Sequence, residues 1–188
     1  MKPRLAALAL ALVPALPWGA AAQAEVVSAA PAGFEVRSVR IVKATPEQIW
    51  AMLGRIGSWW DSAHTYSGSA ANMSLDLTPG GCFCERILAG ARTSGGGTSQ
   101  AAGGVQHGRV LMTMPYASVT LDAALGPILN EAAVGRLTWR LRTVEGGTEI
   151  TQTYAVAGTI RGGAEALAPA VDGVMGQALE RLAKALAG

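Results

Sequence analysis

Histidine, cysteine and phenylalanine each occur only twice in this 188-residue chain, and charged residues make up just 15% of it. Neither His64 nor His107 has a metal-ligating residue three or four positions further along a helix, which speaks against zinc chemistry. No G-x-S-x-G elbow is present, and no spacing of Ser, His and Asp selects a triad. A formal charge of +2 with no basic stripe removes the electrostatic footprint of a nucleic-acid binder. No G-x-G-x-x-G or G-K-S/T phosphate loop is found, and no internal repeat. Neither a cofactor nor a metal is expected.

A long hydrophobic run is missing too. The stretch Leu5–Leu16 is short of the ~20 residues that span a bilayer, and Pro14 and Pro17 interrupt it. Preceded by Lys2 and Arg4 and followed by Ala22-Gln23-Ala24, it has the three regions of a secretory signal peptide cut after Ala24. The expectation is a signal over 1–24, a flexible lead over 25–33 and one domain over 34–188, secreted or periplasmic and with no integral membrane span in the mature chain. No cysteine stands near the cut, so lipid attachment there is excluded. The two cysteines form a C-x-C pair, Cys82 and Cys84. On a regular strand their α-carbons stand about 6.5 Å apart, near the limit of disulfide reach. Two small residues packed on a sheet face are the preferred reading; a strained disulfide and a soft-metal site with His107 are the alternatives.

What is present is patterned. Leu167, Val171, Val174, Met175, Ala178, Leu179, Leu182 and Leu186 recur at steps of three and four, which predicts one amphipathic helix over Gly163–Ala187. Such a helix needs a sheet to lie on, because each large apolar side chain left in water forgoes about 1.5–3 kcal/mol. Phe34–Lys43 reads as the first strand, and Thr45-Pro46-Glu47-Gln48 as the capped start of a short helix. Trp59 and Trp60 follow in an apolar turn or second short helix. Met73–Thr78 and Cys82–Leu88 flank a Pro79-Gly80-Gly81 turn. Ala89–Gly104 has no large apolar residue and reads as a flexible hairpin tip. Val105–Met114, with Val110, Met112 and Met114 on one face, Tyr116–Leu125, the alternating Leu137, Trp139 and Leu141, and Thr148–Val156 supply the remaining strands. The fold class is therefore α+β: a curved, seven-stranded antiparallel sheet around a long C-terminal helix, with one or two short helices after strand 1.

These segments resemble the START-like or SRPBCC superfamily, which includes polyketide cyclase/dehydrase and lipid-transfer members. The resemblance lies in A-T-P-E-Q-I-W (Ala44–Trp50), G-S-W-W (Gly57–Trp60), P-G-G-C-F-C-E (Pro79–Glu85), G-x-L-T-W-x-L (Gly135–Leu141), G-G-T-E-I-T-Q-T-Y (Gly146–Tyr154) and the closing L-E-R-L, in that order. It implies a helix-grip fold around an apolar pocket used for lipids, polyketides and other hydrophobic molecules. It carries over no shared catalytic set.

The candidate ligand-binding residues are Trp59, Trp60, Phe83, Glu85, Met112, Trp139, Gln152, Tyr154, Val171, Met175 and Leu179. Glu85 shares a strand face with Phe83 and Ile87, and Gln152 with Ile150 and Tyr154, so both are polar groups aimed at an apolar interior. Glu85 is expected to reach the rim or to pair with an arginine such as Arg109. The leading expectation is a non-enzymatic, exported protein that takes a hydrophobic small molecule. A cyclase- or hydrolase-like enzyme using Glu85, Tyr154 and Arg109 is the alternative, and a protein-binding module displaying Trp59 and Trp60 is the third.

Overall fold

The computed structural model describes residues 23–188 except Ser94; the expected signal segment over 1–24 lies almost wholly outside the described residues. The order of elements is β1 (Gln23–Ala30), β2 (Gly33–Val42), α1 (Pro46–Gly54), a run of short 3-10 turns, β3 (Met73–Leu75), β4 (Cys82–Ile87), β5 (Gly103–Met114), β6 (Ser118–Ala123), β7 (Ala132–Val144), β8 (Gly147–Thr159) and α2 (Ala164–Ala187). All strands join one antiparallel sheet in the order β1-β2-β8-β7-β6-β5-β4-β3. The long helix packs chiefly over β2 and β1. This is the helix-grip arrangement, with eight strands rather than seven. No helix among the described residues is long and apolar enough to cross a membrane.

The eighth strand is β1, which occupies the stretch expected to be a flexible lead. Its register with β2 runs from Gln23 opposite Val39 to Ala30 opposite Gly33. An edge strand is held by main-chain hydrogen bonds, so a segment of Ala, Ser and Val needs no large apolar residue to join the ladder.

Local chemistry sets the helices. Thr45 Oγ1 accepts from Gln48 N at 3.3 Å while Thr45 N donates to Gln48 Oε1 at 2.8 Å, so the capping box closes in both directions, with Pro46 at the first helical position. In α2 the predicted stripe is the buried face: Met175, Ala178, Leu179 and Leu182 are fully enclosed. Two ion pairs fix the outer edges of this helix, Arg40 to Glu180 at 2.8 Å and Arg181 to Asp61 at 2.5 Å.

The central strands keep the expected alternation. Leu137, Trp139 and Leu141 on β7 and Ile150, Gln152, Tyr154 and Val156 on β8 point inward, while Arg136, Arg140 and Arg142 face solvent. Strand β5 departs from it twice. Phe83 lies opposite Gly108 but Cys84 lies opposite Gln106, leaving His107 as an extra residue. Further on, Val110 lies opposite Leu121 but Met112 lies opposite Thr120, so Leu111 is extra. Each bulge reverses the facing of the residues beyond it, since side chains alternate with period two. Val110 is buried, whereas Met112 is 49% exposed and Met114 shares its side. Met112 therefore stands on the outer face of the sheet, and its expected place in a pocket is corrected.

A further expectation changes. Cys82 and Cys84 form a disulfide, with α-carbons 5.3 Å apart rather than the regular-strand spacing. They sit half-buried on the side of β4 opposite inward-facing Phe83 and Glu85, beside the first bulge. His107 points to the other face, so the Cys and His set suggested as a soft-metal site does not assemble. The Gly-rich stretch 89–104 folds back on itself, with Arg92 bridged to Thr98, Gly90 N donating to Ser99 O at 2.7 Å and Thr93 N donating to Gly97 O at 2.9 Å. The hairpin tip expected there carries these few backbone bonds of its own.

Candidate functional site

A cavity of about 390 Å³ lies between the N-terminal half of α2 and the sheet. The helix contributes Leu167, Ala170, Val171, Val174 and Met175, and the segment after α1 contributes Trp60, Ala63, His64, Thr65 and Tyr66. Met73, His107 and Tyr154 form the sheet side, and Leu125, Gly126 and Pro127 complete the wall. Leu167, Val171 and Val174 are only half-buried although they belong to the apolar stripe, because that part of the helix borders space instead of packed side chains. Ala63, His64 and Pro127 are exposed and mark the rim.

Four of the sequence-predicted residues meet at this cavity: Trp60, Tyr154, Val171 and Met175. Trp59, Phe83, Trp139, Gln152 and Leu179 are buried but belong to the packed core around it. Trp59 donates its indole N–H to Met52 O at 2.8 Å and Trp60 donates to His64 O at 3.1 Å, and the two rings meet edge to face at 5.7 Å. With both tryptophans enclosed, the basis for a protein-binding surface built on them is gone. Gln152 accepts from Trp139 Nε1 at 2.8 Å and donates to Met175 O at 2.7 Å. It braces the core and does not face the cavity.

Glu85 is 1% exposed and reaches neither the rim nor Arg109. It accepts from Tyr66 N at 3.0 Å, from Ser67 N at 2.5 Å and from His107 Nε2 at 2.9 Å. Burial pushes its pKa up, but the hydrogen bonds from Ser67, Tyr66 and His107 outweigh that and hold it below the usual carboxylate value. Arg109 lies on the exposed face, with its guanidinium 3.4 Å from Gly80 O. Both hydrogen-bonding roles of the Tyr154 hydroxyl are taken: it donates to Ala123 O at 3.0 Å and accepts from Leu125 N at 3.1 Å. Burial raises its pKa to about 12, so it stays a phenol. Glu85, Tyr154 and Arg109 thus fail to converge on one cavity position, as the alternative catalytic grouping would require.

Close packing explains how Tyr154 reaches its partners. A β-carbon at Gly135 would stand 2.1 Å from Ala123 O and 2.7 Å from Tyr154 Oη, so only glycine leaves room for this contact. Through it, and through Tyr66 Oη donating to Gly126 O at 2.8 Å, the wall segment 124–127 is tied to the sheet and to the segment after α1.

Among the lining residues that the sequence does not mark as part of a ligand site is His107. A regular strand would turn it to solvent beside Arg109; the bulge turns it inward, stacked near Phe83 at 5.1 Å and Tyr66 at 5.9 Å. The one local sign is Gly108 immediately after it, since a glycine within a strand marks bulges. A β-carbon there would come within 2.7 Å of Asp122 O.

A curved antiparallel sheet holding a long C-terminal helix over an apolar cavity defines the helix-grip class. The chain belongs to the family described as polyketide cyclase/dehydrase and lipid transport, whose pattern matches residues 33–187. Solved structures share the fold at low identity. One is a Rhodobacter sphaeroides protein, 21% identical over 88% of this chain and 98% of that one, with a TM-score of 0.54. CalU16 from Micromonospora echinospora is 14% identical over 88% and 86% with a TM-score of 0.55. An Arthrobacter aurescens protein is 17% identical over 87% and 92% with a TM-score of 0.56. No curated protein matches the chain.

Proposed function

We propose that this protein binds and carries a hydrophobic small molecule outside the cytoplasm. The observation that carries the reading is the cavity of about 390 Å³ between α2 and the sheet, large enough for a small ligand and walled mainly by Leu, Val, Met, Trp and Ala. Family membership in a group described by cyclisation and lipid transport points the same way. The basic start, short apolar run and A-x-A site of the first 24 residues support export.

Binding without turnover is favoured over a cyclase-like reaction because the carboxylate, phenol and guanidinium considered for acid–base work are separated or already engaged. Native mass spectrometry of protein purified from a membrane-free extract, combined with displacement of an apolar fluorescent dye, tests the reading. Co-purifying apolar mass, released by solvent and competing with the dye, is the expected result. A protein that carries no such mass and takes up no dye would overturn it.

A further inference from the structure

The cavity wall has a polarity that its apolar lining hides. The Trp60 indole N–H donates to His64 O, Thr65 Oγ1 to Ser62 O at 2.8 Å, Tyr66 Oη to Gly126 O and Tyr154 Oη to Ala123 O. Every indole and hydroxyl donor on this wall is therefore spent on the protein's own backbone. His107 is different. Its Nε2 bonds Glu85 Oε2, and among the described residues its Nδ1 has no protein partner.

The protonation pattern is set by the neighbour. Glu85 is held ionised by two backbone N–H groups, so it can only accept, and Nε2 must be the donor. The hydrogen bond made by one ring nitrogen sets the state of the other, and the neutral ring then carries its lone pair at Nδ1. The ring cannot swing to a different partner, for it is wedged beside Phe83 and Tyr66 and pinned by the carboxylate.

We infer that Nδ1 of His107 is a hydrogen-bond acceptor that anchors a ligand hydroxyl, so that the cavity selects hydrophobic molecules bearing an alcohol or phenol O–H over matched molecules lacking one. The inference rests on the ligand-binding function proposed for this cavity and sharpens it to a ligand class. With no protein donor at Nδ1, a ligand O–H that bonds it gains what a ligand without a donor forgoes. Ligand carbonyls and carboxylates meet no free indole or hydroxyl donor on this wall, and the His64 ring lies out at the exposed rim. Glu85 does not touch the ligand in this scheme. It is a positioning residue that fixes the tautomer and orientation of the ring.

The test uses 2-naphthol, 2-methoxynaphthalene and naphthalene as probes, titrated into the full protein at neutral pH by calorimetry or fluorescence. Tighter binding of 2-naphthol than of the other two, by about tenfold, is expected from one hydrogen bond. His107→Leu should bring the three to parity. Should that variant fail to fold, 15N spectra of histidine-labelled wild-type protein decide the matter, with His64→Ala providing the assignment. Nδ1 of His107 should be unprotonated and shift on adding 2-naphthol but not 2-methoxynaphthalene. Equal affinity for all three probes, or a protonated Nδ1, overturns the anchor and leaves the cavity reading standing. Binding of none of them overturns both.

Discussion

The side-chain amide of Gln152 on β8 donates to the main-chain carbonyl of Met175 at 2.7 Å, tying the centre of the sheet to the middle of α2. The same amide accepts from Trp139 Nε1, so one polar residue satisfies two groups in an otherwise apolar core. Gln152→Leu keeps the volume and removes both bonds, leaving a buried indole N–H without its acceptor and a carbonyl without its side-chain donor. Each orphaned group costs about 1–3 kcal/mol. A loss of about 2–4 kcal/mol in unfolding free energy, measured by urea denaturation, is the expected outcome. A change under about 1 kcal/mol would show that these bonds are readily replaced.

Leu179 and Met175 sit one helical turn apart and are both fully buried, yet only Met175 borders the cavity. Leu179→Ala opens a void in packed surroundings and should cost about 2–5 kcal/mol. Met175→Ala enlarges a space that already exists, so fewer contacts are lost. It should lower stability less and alter apolar dye affinity more. Melting temperature and dye titration on both variants separate the two roles, and an equal effect of both on dye affinity would contradict the placement.

The parts of this molecule that are legible in its sequence are those written in local periodicity or local bonding. The α2 stripe repeats with the helix period, Thr45 and Gln48 cap each other within four residues, and Leu137, Trp139 and Leu141 alternate in step with the pleat. The parts that are not legible depend on partners far along the chain. Met112 and His107 change face because β5 carries one extra residue against β4 and another against β6, and apart from Gly108 no pattern within β5 states this register. Alternation marks Glu85 as facing the interior, but its partners come from Tyr66, Ser67 and His107, which are 18 to 22 residues away. Strand β1 leaves no such mark, because backbone pairing demands no particular side chain.

Gly135 and Tyr154 offer a sharper check on the cavity wall. Gly135→Ala places a methyl group 2.7 Å from the Tyr154 hydroxyl and closer still to Ala123 O, neither of which can yield without breaking the bonds to segment 123–125. Overpacking of this kind costs about 1–3 kcal/mol. Tyr154→Phe removes the hydroxyl alone. In the double variant the phenylalanine partly relieves the clash, so the two losses should add to more than the double variant shows. Strict additivity in a double-mutant cycle would mean the alanine strains only the backbone.

Acid should expose the buried carboxylate. Glu85 has a folded pKa below its usual value near 4.3, so its ionised form favours the folded state, and that contribution is complete above the unfolded pKa and disappears as pH falls through the folded one. Between about pH 5 and pH 3 the wild-type protein should therefore lose stability faster than Glu85→Gln. Asp61, whose carboxyl is also held low by the amide of Ala63, and Asp172, pushed up by burial, titrate in both proteins and cancel in the difference. At neutral pH the variant starts lower by about 1.5–3 kcal/mol, since an amide cannot accept from both backbone N–H groups and from His107 as the carboxylate does. The two stability curves should thus approach each other toward low pH when unfolding is followed by urea titration at each pH. A wild-type curve that instead gains on the variant as pH falls through that window would show that Glu85 is protonated in the folded protein, and with it would fall the reason for placing the His107 proton on Nε2.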